Sequence, residues 1–299
     1  MLKLLLVNNK YNLHIYKNFF DEYKINKNKY NFELNFNYNY FKRKYNYYFF
    51  KRYYPWNKML FCNISKKLDF VPETYNYTIQ KNVCKKEDIW FIKPYNSSCG
   101  KGIIVTDNIL KYINCYQDQD NMVFQKSVNN LLLYNSKKQD QRIYLLFYKI
   151  ENKLNVYLYK EGLTRFSSKK FNRSNLSSEY QLTNTSVFTG KNEDSCELFS
   201  KNPNYQVLYN QIKKNIYQLI KNYFYSAYLP NNTFHLFGLD FVPDNNYQTW
   251  LIEINDNPMG IVDSDPKIIK EMKKKMIYDL FNIVIFNKNI KNNLFELIN

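Results

Sequence analysis

The sequence predicts an α+β protein built on antiparallel hairpins with flanking helices. Three observations carry this reading. Short apolar runs come in pairs across polar turns, at 142–150 with 154–160 and at 234–242 with 249–254. Two longer stretches, 207–223 and 266–286, read as helices; in the first, Val207, Leu208, Ile212, Ile216, Leu219, Ile220 and Tyr223 recur at helical spacing. The chain shows no clean alternation of strand and helix, which sets aside a doubly wound parallel sheet.

From the N-terminus, residues 1–60 hold 12 Lys+Arg against 3 Asp+Glu and are crowded with aromatics such as Tyr38, Tyr40, Phe41 and Tyr47. This segment reads either as a codon-biased surface lobe or as a basic docking face for an acidic partner. From Phe61 onward the pattern becomes regular. Ile89–Ile92 and Gly102–Val105 are expected strands, as are the two hairpins. Their turns fall at Glu151-Asn152-Lys153 and around Asp244-Asn245-Asn246. No internal repeat is visible.

Composition excludes several classes. The 299 residues suffice for one large domain or a few lobes, and the hydrophobic fraction of 45% argues against wholesale disorder. The chain carries a formal charge of +17. No stretch reaches the ~18 apolar residues of a membrane span. The apolar opening Met1–Val7 is too short for a signal peptide, so an intracellular soluble protein is expected. Five scattered cysteines and two histidines, with no Cys-x-x-Cys, argue against a disulfide scaffold or a zinc site. Asn, Lys and Tyr are heavily used, whereas Arg occurs only at 43, 52, 142, 165 and 173. Each arginine therefore stands where the planar bidentate fork matters.

Four constellations could carry chemistry. In the last hairpin, Asp240 and Glu253 are equidistant from a turn near Asn246–Tyr247, which puts them across from each other. Glu253 and Asn255 share a face. Two carboxylates and an amide oxygen call for a cation, and hard oxygen donors suit Mg²⁺. Next, Lys93-Pro94 precedes Ser97-Ser98-Cys99-Gly100-Lys101-Gly102, a small-residue loop able to bring backbone N–H groups to phosphate. Third, Lys138, Asp140 and Arg142 alternate on one extended face, a cradle for phosphoryl oxygens or else a solvated strand edge. Fourth, Tyr159-Lys160-Glu161-Gly162-Leu163-Thr164-Arg165, with Gln181-Leu182-Thr183-Asn184 further on, places Arg165 after a glycine turn or on a surface loop.

Together these stretches, with Phe70–Tyr75 and Phe124-Gln125-Lys126, resemble the tubulin–tyrosine ligase family, which has the ATP-grasp fold; the resemblance runs from about 70 to 258. It implies an N-terminal lobe over 1–68, a central ATP-grasp lobe over 69–130 and a C-terminal lobe with the Mg²⁺ and ATP site over 131–299. It implies that Lys93 and Lys138 grip ATP phosphates while Gly100, Lys101 and Gly102 close over them. Gln125, Lys126 and Val128 would lie at the adenine, with Asp140, Thr183 and Asn184 near the nucleotide. Asp240, Glu253 and Asn255 would hold Mg²⁺. Arg142 and Arg165 would face the acyl-phosphate and the incoming amino acid. Gln181 stands where the family has His, Ser97 where it often has Gly, Cys99 where it often has a basic residue, and the N-terminal lobe looks short.

The function this implies is an ATP-dependent ligase that joins a free amino acid, with tyrosine leading, to a carboxylate of tubulin's acidic C-terminal tail. A polyglutamylase or glycylase of the same family is the alternative. A basic tubulin-binding module without catalysis is the reading from another class. Cytoplasm and microtubules are the expected locations; neither a membrane nor a nucleic acid is an expected partner, the latter because so few arginines are present.

Overall fold

The computed structural model describes residues 58–76, 88–94, 97, 100–115, 122–189, 192–223, 233–255, 265–286 and 292–298. The basic first fifth of the chain, apart from its last three residues, and Ser98 and Cys99 lie outside these. All strand pairing among the described residues is antiparallel, as the hairpin pattern predicts.

There are two sheets. The smaller is ordered β1 (Thr74–Tyr75), β4 (Met122–Lys126), β2 (Trp90–Pro94), β3 (Ile104–Thr106). Its core is Trp90, Ile92, Ile109 and Phe124, with helix α2 (Ile109–Cys115) against it. The larger sheet is organised around β5 (Lys137–Ile150), 14 residues long. Along one edge β5 pairs with β7 (Leu163–Lys170) and then β6 (Lys153–Tyr159); along the other it pairs with β9 (Thr233–Pro243). β10 (Thr249–Asn255), β11 (Phe295–Leu297) and β8 (Cys196–Leu198) complete it.

The run Ile143–Tyr148 is continuously apolar because both of its faces are covered. Odd residues Ile143, Leu145 and Phe147 pack with Leu208, Ile212, Ile216 and Leu219 of α4 (Tyr205–Tyr223), and with Phe61 and Ile64 of α1 (Lys58–Ser65). Even residues Tyr144, Leu146 and Tyr148 pack with Met276, Ile277, Leu280 and Phe281 of α5 (Lys267–Phe286). Each such burial contributes about 1.5–3 kcal/mol. The β5–β6 turn is the two-residue Glu151-Asn152, both at positive φ (50° and 63°), a geometry matched to the right-handed strand twist.

Several expectations change. β5 starts at Lys137, so Lys138–Arg142 is not a solvated edge: β7 lies on one side, and β9 joins on the other from Gln141. Arg165 is not on a surface loop; it lies within β7 and is 7% exposed. The expected strand at Gly102–Val105 begins only at Ile104, because Gly100 and Gly102 turn the chain first. Neither β7 nor β8 is visible in the sequence, since β7 ends in Ser-Ser-Lys-Lys. Residues 58–71 pack against the large sheet through Phe61, Ile64, Leu68, Phe70 and Val71. No helix among the described residues is long and apolar enough to cross a membrane.

Gly162 joins β6 to β7 where the turn passes close to β5. A Cβ there would lie 2.4 Å from the Arg142 carbonyl oxygen and 2.9 Å from Ile143 Cδ1. Gly162→Ala must therefore displace the β5 backbone, and should lower unfolding free energy by about 2 kcal/mol in a denaturant titration.

Candidate active site

The two sheets face each other across a cleft of about 740 Å³ including its mouth. The small sheet contributes Phe91 and Lys93 from β2 and Gln125 and Lys126 from β4; the large sheet contributes Lys138, Asp140, Arg165, Asp240, Ile252 and Glu253. Ser97, Gly100, Ile103, Ser127 and Val128 line it too, as does the segment Gln181–Asn184 that ends α3 (Ser178–Gln181).

The floor is an alternating ladder of buried charges. Arg165 donates Nε to Asp140 Oδ1 at 2.7 Å and Nη2 to Asp140 Oδ2 at 2.8 Å. The same Nη2 lies 2.9 Å from Asp240 Oδ2. Arg142 holds the other side of Asp240 through Nε to Oδ1 and through Nη2 to Oδ2 at 2.9 Å. Thr183 donates its hydroxyl to Asp140 Oδ2. Strand register produces this arrangement, since Asp140 pairs with Arg165 across β5–β7 and Arg142 with Asp240 across β5–β9. Burial pushes the Asp240 carboxyl up, but Arg142 and then Arg165 outweigh it and hold the group below the usual carboxylate range. Burial also pushes Asp140 up; Arg165 pulls it down and Asp240 pushes it up again, for a net rise.

Glu253 lies directly opposite Asp240, as predicted, though by another route. The turn spans Asp244 to Gln248, and the register shifts between Leu251 and Glu253. Leu251 and Ile254 both reach the core, a spacing of three that a strict two-residue period cannot meet. A β-bulge at Ile252 reconciles them and presents Ile252 and Glu253 to the cleft in succession. Asn255 Nδ2 lies 3.5 Å from Asp240 Oδ2, so the three expected metal residues converge. Among the described residues Glu253 has no hydrogen-bond or ion-pair partner. A partnerless carboxylate opposite a second one, with an amide beside them, fits a hard cation. Glu253 is the open donor, because three guanidinium contacts already occupy Asp240.

Two lysines stand on the walls. Lys93 Nζ donates to Gln125 Oε1 at 2.5 Å and to the Ile252 carbonyl at 3.4 Å. Lys138 Nζ sits 4.5 Å above the Phe91 ring. Burial lowers the Lys138 ammonium to about 7, with Asp140 opposing and Lys93 adding to the fall. Above them Gly100 and Gly102 take φ of 71° and 70°, the left-handed region that favours glycine. A Cβ on Gly100 would come 3.1 Å from Asn184 Oδ1, so the loop rests directly on Asn184. Lys101 is exposed and, like Gly102 and Arg142, is not among the lining residues.

Other expected contacts differ in detail. Lys126 pairs with Asp88 at 3.0 Å and Glu73 at 3.5 Å. Gln181 donates Nε2 to the Asn172 and Asn175 carbonyls at 3.0 and 2.8 Å, so this amide anchors the preceding loop. The apolar lining of Phe91, Ile103, Val128, Leu182, Val242 and Ile252 was largely missed in the sequence. Val128 was expected at the adenine, and Phe91 left a signal by lying two residues before Lys93 on the same strand face.

Two facing antiparallel sheets with a glycine loop, lysine walls and a floor of paired carboxylates and guanidinium groups define an ATP-grasp-like α+β protein. The chain belongs to the tubulin–tyrosine ligase family, whose sequence model matches residues 26–293, further toward the N-terminus than the motifs alone reach. It is 30% identical over 223 residues to a human protein named a probable tubulin polyglutamylase, covering 68% of this chain and 36% of that protein. It is 28% identical over 228 residues to a tubulin glycylase of Tetrahymena thermophila, covering 69% and 22%. A Drosophila melanogaster tubulin glycylase is 30% identical over 195 residues, covering 57% and 26%. The chain thus spans between about a fifth and two fifths of the length of these relatives.

Arg165→Lys should cost about 3 kcal/mol in denaturant unfolding, because one ammonium cannot span two buried carboxylates. The resemblance turns Arg142 and Arg165 together toward the acyl-phosphate and the amino acid; the ladder adds a structural cost at Arg165. A second outcome concerns pH. The folded chain releases the Lys138 proton near 7 and the unfolded chain near 10.5, so unfolding takes up a proton between them. Stability should rise with pH across that window, and Lys138→Met should flatten the rise in thermal melts from pH 7 to 10.

Proposed function

We propose that this chain is an ATP-dependent ligase that joins an amino acid to a carboxylate of a tubulin tail. The observation that carries the reading is the Glu253 carboxylate, without a side-chain partner among the described residues, opposite Asp240 and in one cleft with Lys93 and Lys138. The apolar slot of Ile103, Val128, Leu182, Val242 and Ile252 suits a flat base, and the lysines suit its phosphates. Glu253, with Asp240 and Asn255, would hold Mg²⁺, which supplies charge neutralisation at the phosphates.

A carboxylate is a poor acylating agent because oxide would have to leave. Bound ATP supplies the γ-phosphoryl group that turns a carboxylate oxygen into a leaving group. The donor amine then attacks the carbonyl carbon, and phosphate departs. Arg165, at the cleft floor with its fork fixed by Asp140, is poised to stabilise the oxyanion without reorganising. Arg142 fixes Asp240 and acts through it.

For the donor, the relatives' names favour glutamate or glycine over the tyrosine that led in the sequence reading. Tubulin as acceptor, and a place on cytoplasmic microtubules, belong to the same proposal.

The deciding experiment incubates the purified chain with tubulin, MgATP and glutamate, glycine or tyrosine in turn, reading mass shifts on tail peptides. A shift with glutamate or glycine is expected; no ATP-dependent shift with any donor would sink the proposal. Glu253→Gln should lower MgATP turnover by at least ~10²-fold while leaving the melting temperature near wild type.

A further inference from the structure

The segment Phe70–Tyr75 carried part of the family resemblance without acquiring any role. Its threonine, Thr74, is 2% exposed and pairs directly across β1–β4 with Gln125, itself 3% exposed. Gln125 in turn pairs with Phe91 across β4–β2, and Lys93 lies two residues beyond Phe91. Opposed residues and i, i+2 neighbours share a sheet face, so Thr74, Gln125, Phe91 and Lys93 all look the same way.

A directed hydrogen-bond relay runs through three of them. Thr74 Oγ1 donates its one proton to the Pro72 carbonyl at 2.7 Å. Its lone pairs can then only accept, and Gln125 Nε2 donates to them at 3.2 Å. That fixes the amide with Oε1 on its far side, where Lys93 Nζ donates to it at 2.5 Å. The reversed amide would set Oε1 against the Thr74 lone pairs and NH₂ against an ammonium, two repulsions in a buried site. The start of the relay is itself anchored, since Leu251 N donates to the Phe70 carbonyl at 2.9 Å.

We propose that Thr74 is a positioning residue for nucleotide binding: it orients the Gln125 amide so that Oε1 holds the Lys93 ammonium at the phosphate end of the cleft. The inference rests on the reading of Lys93 as a phosphate ligand given under Proposed function.

The test is equilibrium binding of MgATP to the purified chain, with melting temperatures in parallel. Thr74→Val keeps the shape and removes the relay's acceptor; it should weaken ATP binding by about 5- to 10-fold, the scale of an orphaned buried donor. Thr74→Ser keeps the hydroxyl and should restore affinity to within about twofold. Combined with Lys93→Ala, Thr74→Val should add no further loss, because both act through one ammonium. A purely structural Thr74 would instead give multiplying losses. Wild-type affinity in folded Thr74→Val, or losses that multiply with Lys93→Ala, overturns the relay. Wild-type affinity in Lys93→Ala removes the phosphate reading and the relay with it, whereas normal loss in Lys93→Ala beside a silent Thr74→Val removes the relay alone. Should Thr74→Val not fold, Thr74→Ala carries the same expectations.

Discussion

The ladder Asp140–Arg165–Asp240–Arg142 is the interaction on which the site depends. It crosses three strands at the point where the apolar core of the large sheet gives out. Two carboxylates and two guanidinium groups cancel, so no net charge is left buried. Each carboxylate is held by a planar fork, the arrangement in which attraction best offsets desolvation. The ladder also aligns β7, β5 and β9, and through β9 it determines where Glu253 meets Asp240. Removing Arg165 would take the guanidinium partner from Asp140, and removing Asp240 would take the carboxylate partner from Arg142, each leaving an uncompensated charge in the interior.

Strand alternation turns one structural element to two purposes. Along β5, even residues change from Tyr144, Leu146 and Tyr148 against α5 to Arg142 in the ladder and then Asp140 and Lys138 at the cleft. Odd residues change from Ile143, Leu145 and Phe147 in the core to Gln141 and Gln139, and the Gln139 Oε1 accepts from both Gln141 and Asn202 behind the floor. The apolar half of the strand gives rigidity and the polar half uses it. A cleft floor on a strand packed on both faces is held more tightly than one on a loop could be.

Much of this was legible in the sequence where periodicity was strong. Both helices and both hairpins follow from apolar spacing, and the Asp240–Glu253 pair from distance to a turn. That pair came out right through compensation: a longer turn and a bulge together restore the facing that a regular hairpin would have given. The bulge itself left only a trace, the three-residue step from Leu251 to Ile254. Arg165 was legible as an unusual residue but not as a strand residue, because Ser167, Ser168, Lys169 and Lys170 hide β7 behind a polar sequence. The segments Tyr159–Arg165 and Leu236–Asp240 serve packing and the ladder: Tyr159 is core, Gly162 abuts Arg142, and Leu236 and Leu239 are fully buried.

The bulge at Ile252 ties together two parts that belong to different sheets. Its carbonyl accepts from Lys93 on β2, and its neighbour along the chain is Glu253. Cleft width and carboxylate placement are therefore not two independent settings. Any relative movement of the sheets that draws Lys93 away pulls first on the one stretch of β10 whose ladder pairing is already interrupted. One hydrogen bond, from Lys93 Nζ to the Ile252 carbonyl at 3.4 Å, thus joins the wall that would feel a phosphate to the residue next to the one that would feel a cation.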